Sequence, residues 1–456
     1  MTGLQERIDI TSLSNEGYGI GILKSGKKCF VEGALPGESV AVTVTKEASR
    51  YSFGKAYEFY ETSPDRVIPA LTEAIPGAAL AHLSYSGQLD YKYNKVRDCL
   101  IRLAGTGEDE ADKILSGIEG SDKTGCYRNH MQYKIEGNII GQTASDGITI
   151  IPFEKEYLEY PVFASVVKET GKVLERYPTR LLTGLVLRAS ERTKEIMTEF
   201  ITSDTRSHEL VVREMQAFMK STGLIDNIRK ASADYKLEGV MFRISPDKIS
   251  RRTRSGKRFI LEGKNSYEEI FSGKRFTVEA GSFFQVNIPQ AEKITKMISE
   301  YLEGTDVIWD LYCGTGTLGL SVLPEGGSLI GIESSPEAVN SAQRNAECNY
   351  SGQKDRISFI LKDCGKTDLS SLIKTGKTKM PGAVIVDPPR KGLDDSLLTQ
   401  LIHLGSEKLV YVSCDPATMA RDLKKLKEAY ETVKVTPVDM FPMTQHVECV
   451  TLMTRK

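Results

Sequence analysis

The sequence predicts an α/β protein whose C-terminal part is a parallel, doubly wound sheet, and two observations support this prediction. From residue 276 onward, strand-like apolar runs alternate with helix-like segments, which is the pattern of repeated β-α-β units. The last two of the seven strand-like runs follow each other without a helix between them, as in a terminal hairpin. Ahead of this region the sequence predicts a mixed α/β central domain and a small N-terminal β-barrel.

The predicted barrel, residues 1–60, rests on five short runs that alternate apolar and polar residues and are separated by turns, most of them glycine-containing. These runs are "RIDITSLS", "GYGIGILK", "KKCFV", "ESVAVTVTK" and "SFGKAYEFY". A small OB-like barrel of this kind often holds single-stranded nucleic acid. A barrel that only braces a neighbouring domain fits the pattern equally well.

Two further domains are expected, 61–275 and 276–456. The first begins with a helical segment, "SYSGQLDYKYNKVRDCLIRLAG", and continues with strand-like pieces such as "TGLVLRASE" and "GVMFRIS". In the second, five strand-like runs lead to the hairpin "TVKVTPVDM" and "HVECVTLMTR". Seven strands ending in a hairpin differ from the six-stranded plan of nicotinamide-binding domains.

Composition excludes several classes of protein. The net charge of −1 argues against a uniformly basic coat for nucleic acid. The eight cysteines form no C-x-x-C pair, so neither a zinc ribbon nor a disulfide framework is expected. No apolar run approaches the roughly 20 residues that span a bilayer, and the opening "MTGLQERIDI" is unlike a signal peptide. We expect a cytoplasmic monomer without membrane association.

Local basic segments are the candidates for RNA contact. Between Arg243 and Arg275 there are ten Lys/Arg against four Asp/Glu, with a peak at "SRRTRSGKR". Such a run either contacts phosphates or forms a solvated turn. Aromatic and basic groups also mix in "YRNHMQYK", through Tyr127, Arg128 and Lys134, where a plain surface strand is the alternative.

A glycine-rich loop predicts a nucleotide-type ligand. "DLYCGTGTLG" follows the first strand of the C-terminal region, and Glu333 ends the next strand, where a carboxylate can accept hydrogen bonds from ribose hydroxyls. A nicotinamide dinucleotide and S-adenosylmethionine both fit. Asp310 before the glycines, the terminal hairpin and "VDPPR" around Asp387 favour S-adenosylmethionine.

Six motifs, in order, resemble the RNA uracil-5-methyltransferases, which make 5-methyluridine in ribosomal or transfer RNA. These motifs are "EGYGIG…FVEGALPGE", similar to the family's N-terminal TRAM barrel, "AGSFFQVNIPQAE", "DLYCGTGTLG", "VDPPRKGL", "YVSCDPATMARDL" and "MFPMTQHVECV". The resemblance implies a seven-stranded, Rossmann-like S-adenosylmethionine-dependent methyltransferase domain. It also implies an RNA substrate, and the barrel inclines us to 23S ribosomal RNA over transfer RNA.

The resemblance also implies roles for individual residues. Cys414 is the expected nucleophile and Glu448 the expected base that removes a proton. The residues expected to line the S-adenosylmethionine site are Gln285, Tyr312, Glu333 and Asp387, with Asp363 as a possible contact of the adenine.

The chemistry explains why such residues are needed. Uracil C5 is a poor nucleophile until a thiolate adds to C6, and a base must then remove the C5 proton. Cys414 precedes a helix whose positive end favours a thiolate, and Glu448 lies in an apolar strand, where burial raises the pKa of a carboxyl. A structural cysteine and a structural glutamate are the alternatives, with His446 as a possible relay.

One departure from the family concerns an iron–sulfur cluster that members with the barrel often carry on four cysteines. Here Pro69, Ile75, Ala78 and Tyr160 stand at the expected positions, so we predict no cluster. Two other functions remain open. One is methylation of an exocyclic amine of adenine, although Arg390 stands where such sites carry an aromatic residue; the other is RNA binding without catalysis.

Overall fold

The structure is a computed structural model of the 456-residue chain. It describes residues 5–67, 77–144, 147–204, 206–245, 256–374, 376 and 378–456. Within these ranges no helix has both the length and the apolar character that crossing a bilayer requires.

The N-terminal part is a barrel-like sheet of six strands with its own small apolar core. In chain order the strands are β1 (Gln5–Asp9), β2 (Ser12–Leu13), β3 (Gly19–Ile22), β4 (Lys28–Glu32), β5 (Ser39–Glu47) and β6 (Tyr51–Glu61). The first predicted strand is therefore two strands. The chain changes partner between them, because the amide of Ile10 bonds to Glu38 beside β5 and that of Thr11 bonds to Ile20 of β3.

The central part contains a seven-stranded mixed sheet in the order β13-β12-β11-β10-β7-β8-β9. Its strands are β7 (His130–Glu136), β8 (Ile139–Thr143), β9 (Ile150–Pro152), β10 (Gly184–Ser190), β11 (Glu195–Thr202), β12 (Lys236–Ile244) and β13 (Lys257–Gly263). The helices up to this point are α1 (Tyr85–Arg102), α2 (Glu108–Ile114), α3 (Pro161–Arg176), α4 (His208–Thr222) and α5 (Leu224–Ala231). The core of this sheet includes apolar residues of α3, α4 and α5.

The C-terminal part is the predicted doubly wound sheet, and the prediction of seven strands is confirmed. After the hairpin β14 (Ser266–Phe271) and β15 (Lys274–Glu279), the strands are β16 (Val307–Leu311), β17 (Ser328–Glu333), β18 (Ile357–Leu361), β19 (Ala383–Val386), β20 (Lys408–Ser413), β21 (Tyr430–Val438) and β22 (Glu448–Arg455). The helices are α6 (Ile288–Tyr301), α7 (Thr317–Val322), α8 (Pro336–Asn349), α9 (Leu369–Lys374), α10 (Asp395–Leu404) and α11 (Pro416–Leu426). The sheet order is β18-β17-β16-β19-β20-β22-β21, with β22 antiparallel to both neighbours.

Residues from before 276 pack into the core of the C-terminal sheet. Helix α1 contributes Val96 and Leu100 to one face, and strand β14 contributes Tyr267 and Phe271 to the other. The boundary at residue 275 stays a prediction, but the apolar packing of the C-terminal sheet extends across it.

Candidate active site

Cys414 and Glu448 are adjacent at the carboxyl edge of the parallel strands. Ser413, the last residue of β20, pairs with Cys449 of β22, so the next step of the antiparallel ladder brings Cys414 opposite Glu448. Asp387 follows β19, the other neighbour of β20, and lies at the same edge. In open α/β sheets this edge is where ligands bind. The two residues expected to do the chemistry therefore meet at the position where a ligand would lie.

The two carboxyl groups beside Cys414 hold their protons more firmly than ordinary carboxyls. Glu448 is a partly exposed residue, but protein atoms around its carboxyl keep water away. This desolvation, followed by the charge of Asp387, raises the pKa of Glu448 to about 8 against an opposing effect of Arg390. Desolvation also raises the pKa of Asp387 to about 7. Glu448 thus has the affinity for a proton that a base working near neutral pH needs.

The thiol of Cys414 is not acidified, which differs from the expectation. Burial, followed by the charges of Glu448 and Asp387, raises its pKa to about 12, while Arg390 acts in the opposite direction. The helix α11 that follows does not compensate, because the Asp415 carboxylate caps its first amide groups and adds a negative charge beside the sulfur. The resting group is therefore a thiol.

The glycine-rich loop between β16 and α7 has the backbone shape of a ligand cradle. Gly314 and Gly316 have positive φ of 54° and 76°, and Tyr312 has the unusual value of 63° for a residue with a side chain. Oε2 of Glu333 accepts a hydrogen bond from the amide of Gly314 at 3.2 Å, and its Oε1 accepts from two further amides. Glu333 therefore lies directly against the loop, and its carboxylate oxygens have further lone pairs for a hydroxyl donor. These residues fit a nucleoside-bearing cofactor.

Asp310 supports the loop from beneath. It is buried, and its Oδ2 accepts a hydrogen bond from the amide of Gly319 at 2.9 Å. Burial raises the pKa of Asp310 to about 8, with smaller contributions from Asp387 and Glu333. A Cβ added at Gly319 would lie 2.6 Å from that same Oδ2, so the third glycine is required by close packing.

Gln285 lies in the connection between the β14–β15 hairpin and α6. Its backbone carbonyl accepts a hydrogen bond from the side chain of buried Asn129 at 2.9 Å, and the Asn129 amide bonds to the carbonyl of Val286. The connection is thus attached to the start of the central sheet. Asp363, which follows β18, is exposed and forms an ion pair with Lys366 at 3.1 Å.

Comparisons with known proteins show the family to which this chain belongs. The profile of the family described as tRNA (Uracil-5-)-methyltransferase matches residues 247–456, and that of the TRAM domain matches residues 1–57. An uncharacterized RNA methyltransferase of Caldanaerobacter subterraneus is 34% identical over 99% of this chain and 98% of its own length. One from Clostridium tetani is 33% identical over 98% and 95%. The chain belongs to the RNA uracil-5-methyltransferase family.

One solved structure has the same fold over nearly the whole length. It is the Pyrococcus abyssi tRNA (uracil-54, C5)-methyltransferase in complex with S-adenosyl-L-homocysteine. The TM-score is 0.74 at 23% identity, and the match covers 98% of this chain and 100% of the other. The N-terminal barrel, the central sheet and the seven-stranded sheet are therefore an architecture found in another RNA methyltransferase.

In this member of the uracil-5-methyltransferase family, the structure argues against two of the residues predicted to contact RNA, Tyr127 and Arg258. Tyr127 is buried and its hydroxyl donates to the carbonyl of Pro442 at 3.0 Å, so it cannot stack on a base. Arg258 forms an ion pair with Glu199 at 2.6 Å, which reduces its role as a phosphate contact. The other arginines at the peak of the basic run, Arg251, Arg252 and Arg254, lie outside the described residues.

Two of the four positions expected for cluster cysteines are filled by apolar packing. Ala78 belongs to a small cluster with Tyr127 and Leu158, and Tyr160 is buried in the core of the central sheet. The other two, Pro69 and Ile75, lie outside the described residues. Neither alanine nor tyrosine supplies the thiolate that holds an iron–sulfur cluster, so these residues do not fit a cluster.

Arg390 is the main site residue that sequence reasoning did not assign. It is an exposed cation that lowers the pKa of both Cys414 and Glu448. Its position three residues after Asp387, in "VDPPR", was the available signal. His446 carries little charge at neutral pH, because burial, followed by Arg390 and nearby lysines, lowers its pKa to about 4.

Proposed function

We propose that this protein methylates C5 of a uridine in RNA, with 23S ribosomal RNA as the favoured substrate and S-adenosylmethionine as the methyl donor. The observation that carries the proposal is the juxtaposition of Cys414 and Glu448 at the carboxyl edge of the sheet. One nucleophile and one high-pKa carboxylate beside a cofactor loop are the groups that this reaction requires.

The chain's residues act in two stages. Cys414 releases its proton to solvent, and the resulting thiolate adds to C6 of the uracil, which places the electron pair of the C5–C6 double bond on C5 and the neighbouring carbonyl. S-adenosylmethionine, when bound, supplies an electrophilic methyl group for that carbon. Glu448 then takes the proton from C5, the double bond forms again, and the electrons of the C6–sulfur bond return to Cys414. The cysteine is thereby regenerated and the proton ends on Glu448.

One cation at the site favours both stages. Arg390 stabilises the ionised forms of Cys414 and Glu448, since it lowers the pKa of both. The high pKa of the thiol means that the resting enzyme is protected from adventitious reaction, because the thiolate is the nucleophilic form. We propose that RNA binding completes the ionisation.

The cofactor site is proposed from the loop after β16. Glu333 is the acceptor for ribose hydroxyls, and the positive-φ backbone of Gly314 and Gly316 permits close approach of the ligand. Gln285, Tyr312 and Asp387 complete the proposed site, and Asp387 also acts electrostatically on both Cys414 and Glu448.

Transfer RNA is the second candidate substrate. The barrel alone does not choose between the RNAs, because the Pyrococcus abyssi transfer RNA enzyme matches this chain over 98% of its length. The relevant experiment is incubation of the protein with labelled S-adenosylmethionine and with ribosomal or transfer RNA from a strain that lacks the gene. Label should appear as 5-methyluridine in one RNA, and the Cys414→Ala variant should give none.

The same experiment separates the alternatives. Label recovered as an N-methyladenosine would replace the proposed function with amine methylation. No label in either RNA, from protein that binds RNA, would leave a binding protein without catalysis.

A further inference from the structure

The loop that leads into Glu448 is held by one face of a helix from the other end of the chain. This loop, residues 439–447, connects β21 to β22 and is called the base loop here. The helix is α1, and Tyr85, Gln88, Lys92 and Lys95 lie at the three- and four-residue spacing that aligns side chains on one face. All four form hydrogen bonds to the base loop or its side chains. We refer to these four residues as the α1 stripe.

The centre of the stripe is a buried ion pair. Nζ of Lys92 lies 2.5 Å from Oδ1 of Asp439, and neither side chain is exposed to solvent. Lys92 also donates to the carbonyl of Phe441 at 3.0 Å, and the Tyr85 hydroxyl donates to Oδ2 of Asp439 at 2.9 Å. A buried pair of this kind has a fixed geometry, because any displacement leaves a desolvated charge without its partner.

The remaining two residues hold the far half of the loop. Nζ of Lys95 donates to the carbonyl of Gln445 at 3.1 Å and to that of Asn15 in the barrel at 2.8 Å. Gln88 accepts from the amide of Met443 at 2.8 Å. Met443 has a positive φ of 67°, a conformation that such a residue adopts only when its surroundings impose it.

The base loop ends one residue before Glu448, so its position determines where the carboxyl lies. Other parts of the chain also fix the base loop, because the side chains of Asn287 and Gln290 donate hydrogen bonds to the carbonyls of Met440 and Asp439. Among the described residues, the side-chain hydrogen bonds of the α1 stripe reach both halves of the loop, 439–442 through Tyr85 and Lys92 and 443–447 through Gln88 and Lys95. A shift of about 1 Å in a reacting group is enough to slow a reaction by orders of magnitude.

We propose that the α1 stripe positions Glu448 for removal of the C5 proton by fixing the base loop, with Lys92 and Lys95 as positioning residues. This inference rests on the proposed function and specifies which of its two stages depends on α1. Cys414 follows β20, on the opposite side of the ladder, and receives no hydrogen bond from the stripe among the described contacts. Addition of the cysteine should therefore be less sensitive to the stripe than release of the product.

The test uses the full chain with Lys92→Met, Lys95→Met and a matched control, Arg97→Met. Arg97 is on the same helix and forms an ion pair with Asp112 of α2, away from the base loop. Each protein is mixed with labelled S-adenosylmethionine and ribosomal and transfer RNA from the strain that lacks the gene. Methylated RNA attached to protein and free methylated RNA are then separated by denaturing electrophoresis, and thermal melting reports folding.

In the two stripe variants the ratio of attached to free methylated RNA should rise about tenfold, whereas the control should match the wild type. A folded Lys95→Met protein with an unchanged ratio, or with addition and release slowed equally, would overturn the positioning role. If Lys92→Met fails to fold, Lys95→Met decides, since Lys95 lies outside the buried pair with Asp439 and its hydrogen bonds go to backbone carbonyls. A wild-type protein that methylates no uridine would instead overturn the proposed function, and the positioning role with it.

Discussion

The carboxylate of Asp415 accepts hydrogen bonds from the amides of Ala417 and Thr418, at 2.9 and 3.2 Å, and so occupies the helix start that faces Cys414. A free helix N-terminus would stabilise a thiolate, but here a negative charge already fills that position. Burial and the charges of Glu448 and Asp387 raise the pKa of Cys414 most, and Asp415 adds to them. The start of helix α11 therefore does not acidify the thiol.

The first prediction concerns the base. Glu448→Gln should still allow addition of Cys414 and transfer of the methyl group, because the amide removes no group needed for those steps. The C5 proton cannot leave, so a methylated RNA–protein adduct should accumulate and survive denaturing electrophoresis. Normal turnover by Glu448→Gln would make Glu448 structural.

The adduct requires its own control. In the double variant Cys414→Ala, Glu448→Gln no labelled RNA should migrate with the protein, since the bond to C6 cannot form. Persistence of the complex would mean that it is tight non-covalent binding.

The second prediction concerns pH. Glu448 acts as a carboxylate, and its pKa of about 8 means that the ionised fraction, and the rate of product release, should rise as pH passes upward through that value. Asp387 ionises nearby with a pKa of about 7, so the measured profile belongs to the pair. Single-turnover rates between pH 6 and 9.5 at saturating RNA provide the measurement.

Replacement of Arg390, a cation near Cys414 and Glu448, should shift the pH dependence of the single-turnover rate. Arg390→Gln removes a charge that lowers the pKa of Glu448 and Cys414, so both values should rise and the midpoint should move to higher pH. Lys391→Gln is the matched control, because Lys391 is paired with Asp394 at 3.1 Å. A midpoint that stays in place in Arg390→Gln would exclude Arg390 from the electrostatics of the site.

Some of this site could be predicted from the sequence because its residues end strands or begin helices. Cys414, Glu333 and Asp387 each follow or close an apolar run, and parallel strands bring such residues to one edge. The capped start of helix α11, which adds to the raised pKa of the Cys414 thiol, could also be predicted, because Asp415 before Pro416 is the pattern of a capped helix.

The remaining features depend on contacts between distant parts of the chain. Lys92 and Asp439 are 347 residues apart, and nothing in either segment identifies the other as its partner. Arg258 belongs to a run of positive charge, but only the fold shows that it forms an ion pair with Glu199 of β11, which also pairs with Arg243. Tertiary structure therefore determines which charged residues are paired within the protein.

The third prediction concerns iron. Purified protein should contain no stoichiometric iron, because Ala78 and Tyr160 pack among apolar side chains at two expected ligand positions, and Pro69 and Ile75 cannot bind iron at the others. Metal analysis and the absorption spectrum of protein purified without oxygen provide the measurement. A brown protein with roughly four iron atoms per chain would require a different ligand set.

The fourth prediction concerns the cofactor loop. In Gly319→Ala the added methyl group would meet Oδ2 of Asp310 at 2.6 Å and Cδ1 of Leu329 at 2.9 Å, so the loop must move away from β16. Overpacking of this kind costs about 1–3 kcal/mol, and affinity for S-adenosylmethionine should fall about tenfold or more. Calorimetric titration of the folded variant measures this loss.

Gly171→Ala in α3 is the matched control, since a Cβ there meets no atom within 4 Å. It should leave affinity unchanged and stabilise the helix by about 0.5–1 kcal/mol. A Gly319→Ala protein that melts normally and binds S-adenosylmethionine with wild-type affinity would mean that the loop between β16 and α7 does not form the cofactor site.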